Sequence, residues 1–316
     1  MIYGLMSGIL WGLDTVLLGI ALTMTPFIST KEAIFLAPFV STFLHDLFSS
    51  VWMVIYITIT GQLKKTIIAA NTKSGRFIIL GALLGGPIGM TGYLMAIKYI
   101  GPAYTAIISS LYPAVGALLS YIFLKEKMKP IAIIGLILSI LGIIILGYAP
   151  GGEVVNLGLG FASALLCVVG WSSEAVICSY GMKDDEVSPE QSLQIRQLTS
   201  ALTYGLLIIP IAKGIKFTLG ILSTTATGII ILTALAGTAS YVFYYKGIHK
   251  IGATKAMSLN ITYSAWSIIF GVILLGNSAD LKSIICCILI VCGSVMAAGD
   301  ISEFRSIFIT KNNIIN

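Results

Sequence analysis

Long apolar runs, separated by short polar segments, recur along the whole chain. Each run holds about 20 mostly apolar residues, the length that an α-helix needs to cross roughly 30 Å of hydrocarbon. Strands of a β-barrel would alternate apolar and polar residues in short segments, and these runs do not alternate. The pattern predicts an all-α integral membrane protein with ten transmembrane helices, at about 2–24, 33–60, 75–98, 102–124, 129–148, 157–180, 189–212, 218–246, 253–275 and 280–300.

Composition and charge agree with a chain embedded in a lipid bilayer. Of the 316 residues, 57% are apolar and only 10% are charged, against roughly 25% charged in soluble domains. If the N-terminus is cytoplasmic, the inner loops and C-terminal tail hold 13 basic residues and the outer loops hold 5. This excess predicts that both termini are cytoplasmic. The net charge of +6 is thus a topology signal, and we predict no partner nucleic acid.

An internal repeat relates the two halves of the chain. One set of positions recurs after 151 residues, and a second set, in the first helix of each half, recurs after 160. Because the matches include rare Trp, Tyr and acidic positions, a true repeat is favoured over chance similarity between apolar stretches. The matched positions are 96–101 with 247–252, Gly86 with Gly237, Tyr112 with Tyr263, Trp11 with Trp171 and Asp14 with Glu174.

Each copy of the repeat has an odd number of predicted helices, so the second copy enters the membrane in the opposite direction. We therefore predict two inverted five-helix repeats, residues 1–150 and residues 151–316, the second with a short cytoplasmic tail. Secondary transporters of this architecture bind substrate near the middle of the membrane, between the two halves.

Two acidic residues, Asp14 and Glu174, lie in the middle of apolar runs. An ionised carboxylate at that depth costs about 2.5–3.5 kcal/mol on insertion scales, so such a residue faces a cavity or a partner. Both are therefore candidates for a functional site. The alternative is a structural hydrogen bond between helices.

Aromatic residues are placed to line the same region. Trp11 lies three residues before Asp14, and Trp171 three before Glu174, so each pair shares one helix face. An aromatic cavity with a carboxylate suits a quaternary ammonium ion, which binds over aromatic faces with up to about 2 kcal/mol per contact. The alternative is that the rings face lipid or form an interfacial belt. The other predicted members of the substrate site are Tyr241, Tyr245, Asn260, Tyr263 and Trp266.

Polar pairs interrupt two further helices, His45-Asp46 in the second and Arg196-Gln197 in the seventh. His45 can carry a proton near neutral pH. The favoured interpretation is nevertheless structural, with these groups pairing with one another or with helix ends. In the third helix, residues 85–87 (Gly-Gly-Pro) predict a break that frees backbone groups for a cavity or a neighbour.

Several function classes lack their motifs in this sequence. It shows no ATP-binding motif, no zinc-ligand cluster and no nucleophile–base spacing, so we predict no cofactor, no metal and no enzyme activity. The five cysteines all lie in apolar runs and are predicted to be packing residues.

Several motifs are similar to those of a known family. They lie at 7–12, 81–90, 98–101, 170–174, 195–197 and 259–266. Together with the ten helices in two halves, they resemble the drug/metabolite transporter superfamily in its EamA-type branch, and within it the bacterial choline-uptake transporters.

That resemblance implies secondary-active uptake of choline, coupled to protons by symport, across the cytoplasmic (inner) membrane of a bacterium. It implies that Glu174 is the anionic partner or the proton carrier. Asp14 departs from the family pattern, which has a small residue after Trp-Gly-Leu, and leaves the exact quaternary amine open. The implied aromatic cage consists of Trp11, Trp171, Tyr241 and Tyr263.

Two alternative functions remain at this point. An exporter of amino acids, drugs or other small metabolites has the same fold, but a carboxylate cargo calls for a basic group, and Arg196 is the single candidate inside a predicted span. A channel or structural membrane subunit is the third interpretation, which inverted repeats and broken helices argue against.

Overall fold

The computed structural model describes residues 1–148, 154–184 and 186–299, and its regular structure there is helical. The main helices are α1 Ile2–Leu22, α2 Lys31–Ile59, α3 Lys73–Gly101, α4 Tyr104–Leu124, α5 Pro130–Gly147, α6 Leu157–Gly181, α7 Pro189–Thr203, α8 Thr225–Ile251, α9 Ala253–Leu275 and α10 Leu281–Ala298. All except α7 are long and apolar enough to cross a membrane, giving nine candidate spans in the described residues. The protein is therefore a multi-pass membrane protein.

Helix α7 carries more polar residues than the other main helices, and most of them are buried. It continues through a π-helical turn, Tyr204–Ile208, into a last helical turn that ends at Ile211. These polar residues make α7 less apolar than a typical membrane span, although they face the protein interior and not lipid. The tenth span at 189–212 therefore stays a prediction. Buried polar residues of α7 include Gln191, Gln194, Arg196 and Gln197.

Most predicted helix bounds lie within a few residues of the observed ones, but the predicted start of the eighth helix at residue 218 is wrong. The structure has a separate short helix there, Ile215–Ile221, and α8 begins only at Thr225. The Thr224 hydroxyl donates to the Ile221 carbonyl oxygen (2.7 Å), which helps to end the short helix. The predicted cytoplasmic tail lies outside the described residues.

The predicted break in the third helix is confirmed. Residues Leu84–Met90 form a π-helical segment that contains Pro87. Proline lacks a backbone N–H and cannot continue the regular hydrogen-bond pattern of an α-helix. The segment brings the backbone at Gly85 and Gly86 directly against side chains of α6 and α7.

The connections α3–α4 and α8–α9 have the same backbone features. Gly101 and Gly252 have positive φ angles of 77° and 88°, a conformation that glycine adopts without steric cost. Helix α4 is interrupted at residues 110–111 and α9 at residues 261–262. In both comparisons the two positions are 151 residues apart, which is the offset of the sequence repeat.

Small residues allow the helices to approach closely. Helices α5 and α10 pack through Gly135 and Gly293, where a side chain on either glycine would meet the facing backbone. Beside them the Ser139 hydroxyl donates to the Ile290 carbonyl oxygen (3.1 Å). Helix α1 packs on α8, and α3 packs on α6. Such glycine contacts are typical of helix association in lipid, where van der Waals packing replaces the hydrophobic effect.

Candidate functional site

An aromatic cavity that is partly open to solvent lies among α1, α3, α4, α6, α8 and α9. Six of its lining residues are aromatic, and one is acidic. Such a surface offers ring faces and one carboxylate to a bound molecule. The lining consists of Trp11, Met90, Tyr112, Trp171, Glu174, Ala175, Ser240, Tyr241, Tyr244, Asn260 and Tyr263.

The rings of the cavity hold one another in place. Trp11 meets Tyr241 nearly edge to face, with ring centroids 4.9 Å apart and an interplanar angle of 89°. Trp171 meets Tyr112 at the same angle, with centroids 5.9 Å apart. Edge-to-face pairs are worth about 0.5–1.5 kcal/mol beyond the burial of their area. The two tryptophans are therefore fixed by partners on other helices.

A chain of hydrogen bonds ties α6, α4, α9 and α1 together beside the cavity. The Ser172 hydroxyl donates to the Tyr112 carbonyl oxygen (2.7 Å), and the Tyr112 hydroxyl donates to Asn260 Oδ1 (3.0 Å). Asn260 Nδ2 in turn donates to the Ser7 hydroxyl (2.5 Å). A movement of one helix pair against the other would have to break or exchange these bonds.

The carboxylate of the cavity, Glu174, is buried and held by two donors. Its Oε1 accepts from Arg196 Nε (2.8 Å) and from the Tyr245 hydroxyl (3.0 Å). Arg196 Nη2 donates to the Tyr241 hydroxyl (3.1 Å), and the guanidinium carbon lies 4.7 Å from the centroid of that ring. The guanidinium therefore joins the carboxylate to the aromatic wall.

Arg196 also reaches a second carboxylate, Asp46 on α2. Arg196 Nη1 lies 3.3 Å from both oxygens of Asp46 and 2.8 Å from Oε1 of Gln197. The Ser200 hydroxyl donates to Asp46 Oδ2 (2.5 Å). One guanidinium thus bridges two buried carboxylates from different helices, an arrangement whose loss on either side is costly.

The imidazole of His45 extends this network to a third carboxylate. His45 Nδ1 lies 3.4 Å from Asp46 Oδ1, and His45 Nε2 lies 2.8 Å from Asp14 Oδ1. On α8, a side chain at Gly237 would overlap both His45 and Asp14, so glycine makes room for their contact. The result is one buried chain of ionisable side chains, Asp14–His45–Asp46–Arg196–Glu174, that links α1, α2, α7 and α6.

A second pocket adjoins the aromatic cavity. It is lined by Asp14, His45, Asp46 and Arg196, together with Leu18 and Thr42. The two spaces share three side chains, so a molecule in the aromatic cavity is one residue layer away from Asp14. The shared residues are Trp11, Met90 and Tyr241.

The structure brings most of the predicted substrate-site residues to these two spaces. Asp14 lines the second pocket and not the aromatic cavity. Tyr245 is fully buried behind the cavity, where it supports Glu174. Trp266 is absent from the described lining of the cavity and packs against Gly12 on α1. The predicted residues that line the aromatic cavity are Trp11, Trp171, Glu174, Tyr241, Asn260 and Tyr263.

Five lining residues carried no site prediction: Met90, Tyr112, Ala175, Ser240 and Tyr244. The sequence held a usable indication for Tyr112, because the repeat pairs it with Tyr263, and for Tyr244, which lies three residues after Tyr241 on the same helix face. Met90, Ala175 and Ser240 have no chemical mark in the sequence. The four polar residues predicted on the second and seventh helices form a continuous series of contacts. His45 contacts Asp46, and Arg196 contacts both Asp46 and Gln197.

Comparison with known proteins gives relatives along most of the chain. Protein LicB of Haemophilus influenzae is 42% identical over 198 residues, which are 62% of this chain and 65% of LicB, so the match spans just under two thirds of that relative. An uncharacterized transporter of Clostridium kluyveri is 22% identical over 225 residues, 70% of this chain and 71% of that one.

One solved crystal structure shares the fold with a TM-score of 0.70 and 19% identity, covering 94% of this chain and 96% of that chain. The EamA-like transporter family matches residues 1–148 and residues 158–299. Since those two stretches make up most of the sequence, the chain belongs to the EamA-like transporter family.

Proposed function

We propose that this protein takes up choline, or a closely related quaternary ammonium ion, across the cytoplasmic membrane of a bacterium by alternating access, in symport with protons. The main support for this proposal is the aromatic cavity with Glu174 in its wall. A quaternary ammonium has no N–H to donate, and ring faces attract it through the quadrupole of the π-system. Its charge is offset by the carboxylate. The choice of choline comes from the motifs around Trp171 and Tyr263, which resemble those of the choline-uptake transporters.

The proposed architecture is ten spans in two inverted repeats, residues 1–150 and 151–316, with both termini in the cytoplasm. Three features support it: the repeated glycine conformations at Gly101 and Gly252, the repeated interruptions in α4 and α9, and the division of the family match near residue 150. The pairing of α1 with α8 and of α6 with α3 is the exchange that a twofold relation between halves would produce.

Export of amino acids has weaker support. A cargo with a carboxylate needs a cation at the site, and Arg196 is already bonded to Glu174 and Asp46. The added negative charge of such a cargo would compete with two buried carboxylates for one guanidinium.

Purified protein in liposomes is expected to show saturable uptake of radiolabelled choline. Unlabelled choline should compete, and amino acids should not. A thermal-shift series with choline, betaine, carnitine and amino acids should give the same order, because a ligand that binds the folded state raises its apparent stability. Uptake that does not saturate would indicate a channel, and competition by amino acids but not by choline would favour the exporter.

Removal of a cavity tryptophan is expected to weaken choline binding. Trp171→Ala should lower the affinity at least tenfold, because one desolvated cation–π contact is worth up to about 2 kcal/mol. The matched control is Trp52→Ala, since Trp52 donates to the Ile231 carbonyl oxygen between α2 and α8 and lies outside the cavity lining. Calorimetric titration of both variants measures the difference. Equal choline affinities in the two variants would show that Trp171 is not part of the choline site.

A further inference from the structure

We infer that the coupled proton binds between Asp14 and His45, and that one proton enters with each organic cation. This inference rests on the proposed cation uptake, and adds to it a proton site and a stoichiometry. It assigns the proton to the second pocket and leaves Glu174 as the fixed anion of the aromatic cavity.

The contacts of His45 favour a doubly protonated imidazole ring. Both ring nitrogens face carboxylate oxygens, at 2.8 Å for Asp14 and 3.4 Å for Asp46. A neutral imidazole has one N–H and one lone pair, so one nitrogen would oppose a carboxylate oxygen without a hydrogen between them. An imidazolium donates from both nitrogens and satisfies both contacts. Loss of this proton therefore leaves one ring nitrogen facing a carboxylate oxygen with no hydrogen between them.

The other two carboxylates are poor sites for a proton that must come and go. Glu174 and Asp46 are both bonded to Arg196, and a proton on either would leave the buried guanidinium against a neutral acid. Breaking one side of a buried ion pair is costly because the remaining charge stays desolvated. Asp14 is bonded to His45 and can exchange a proton with it without disturbing Arg196.

The charges around the pair give the stoichiometry. With their carboxylates ionised, the three acids and the one guanidinium of the network sum to −2 when His45 is neutral. One proton on the Asp14–His45 pair and one monovalent organic cation bring the sum to zero. The groups that face the pair are Asp46 on α2, Arg196 on α7 with Glu174 of α6 behind it, Tyr241 on α8, and the glycine backbone at Gly237.

The protein is expected to change its access from one side of the membrane to the other most readily when the site carries no net charge. Net charge buried at this depth is penalised by desolvation, so the form carrying both the proton and the cation has the lowest barrier to rearrangement. The proton and the cation act on one network because Trp11 and Tyr241 form the wall between the two spaces. Neither charge alone neutralises the site.

Equilibrium accumulation of choline in proteoliposomes tests this directly. One proton with one choline moves two positive charges, so an interior-negative potential of about 60 mV should accumulate choline about 100-fold, since 59 mV is tenfold for one charge. A pH gradient of one unit, acidic outside, should add about tenfold. For Asp14→Asn, the same potential should give about tenfold accumulation, and the pH gradient should have no effect.

The control is Asp280→Asn, which changes an exposed acid that caps α10 by accepting from the Ser283 N–H (2.8 Å) and should keep both wild-type ratios. If Asp14→Asn does not fold, His45→Gln replaces it and should likewise lose the response to pH. Wild-type accumulation of only tenfold with no response to pH, or a pH response that survives in Asp14→Asn, would overturn the proton site while leaving choline uptake in place.

A separate readout does not need choline. The chain has two histidines, so ¹⁵N-histidine NMR of the wild type and of His249→Gln identifies the His45 signal. At pH 7 that signal should be imidazolium in the wild type and should become neutral in Asp14→Asn. If choline is not accumulated under any gradient, the proposed function fails, and this spectrum decides the proton site on its own: an unchanged His45 signal in Asp14→Asn would rule it out.

Discussion

Replacement of Arg196 by Met is expected to destabilise the protein by about 3–5 kcal/mol, the cost of leaving buried charges without their partner. The guanidinium compensates Glu174 and Asp46 and donates to Tyr241, so its loss leaves two buried carboxylates without the cation that they share. Thermal unfolding of the purified protein in detergent measures the change. Choline binding should disappear in the same variant.

The matched control is Lys250→Met, which also removes one cation. Lys250 lies over the ring of Tyr3 and donates to its hydroxyl at an exposed position, and such surface contacts are worth about 0–1 kcal/mol. A triple variant with Arg196→Met, Glu174→Gln and Asp46→Asn should recover part of the lost stability, because no buried charge then lacks a partner. Equal unfolding temperatures for the Arg196 and Lys250 variants would contradict the view that the network is held by the guanidinium.

Gly85→Ala is expected to reduce choline affinity by at least tenfold. A methyl group at Gly85 would occupy the space of the Glu174 carboxylate, so the acid would have to leave Arg196 and Tyr245. Inserting one carbon into a packed interior also costs about 1–3 kcal/mol of stability. Titration with choline, together with thermal unfolding, separates the two effects.

For comparison, Gly19→Ala adds the same methyl group to α1 at a position with open space around it. Alanine in a helix interior is favoured over glycine by about 0.5–1 kcal/mol, so this variant should bind choline normally and unfold no earlier than the wild type. A Gly85→Ala protein that keeps its affinity within twofold would show that the Glu174 carboxylate does not need its observed position.

The sequence was sufficient for the membrane class and for the aromatic part of the site. Long apolar runs identify the helices that contact lipid. The break around Pro87 follows from the missing N–H of proline. Trp11 and Trp171 could be placed together because the repeat aligned them. The start of α8 could not be placed, because the apolar short helix before it continues the same pattern.

The charged network could be predicted only as a tendency to pair. Asp14, His45, Asp46, Glu174 and Arg196 come from four helices, and which of them meet depends on the rotation and tilt of each helix. Periodicity in one helix carries no information on its rotation against another. The same reason explains Tyr245 and Trp266, which lie on the expected helices but face packed interfaces and not the cavity.

The buried polar face of α7 bears on how the protein is assembled in the first place. A translocon passes helices to lipid according to their own apolarity, and an arginine at the centre of a helix opposes that step by about 2.5–3.5 kcal/mol. Arg196 finds its compensation on segments made before it: Asp46 on α2 and Glu174 on α6. In the proposed ten-span arrangement, the entry of α7 into the bilayer is therefore a step of tertiary folding that depends on α2 and α6 being already in place.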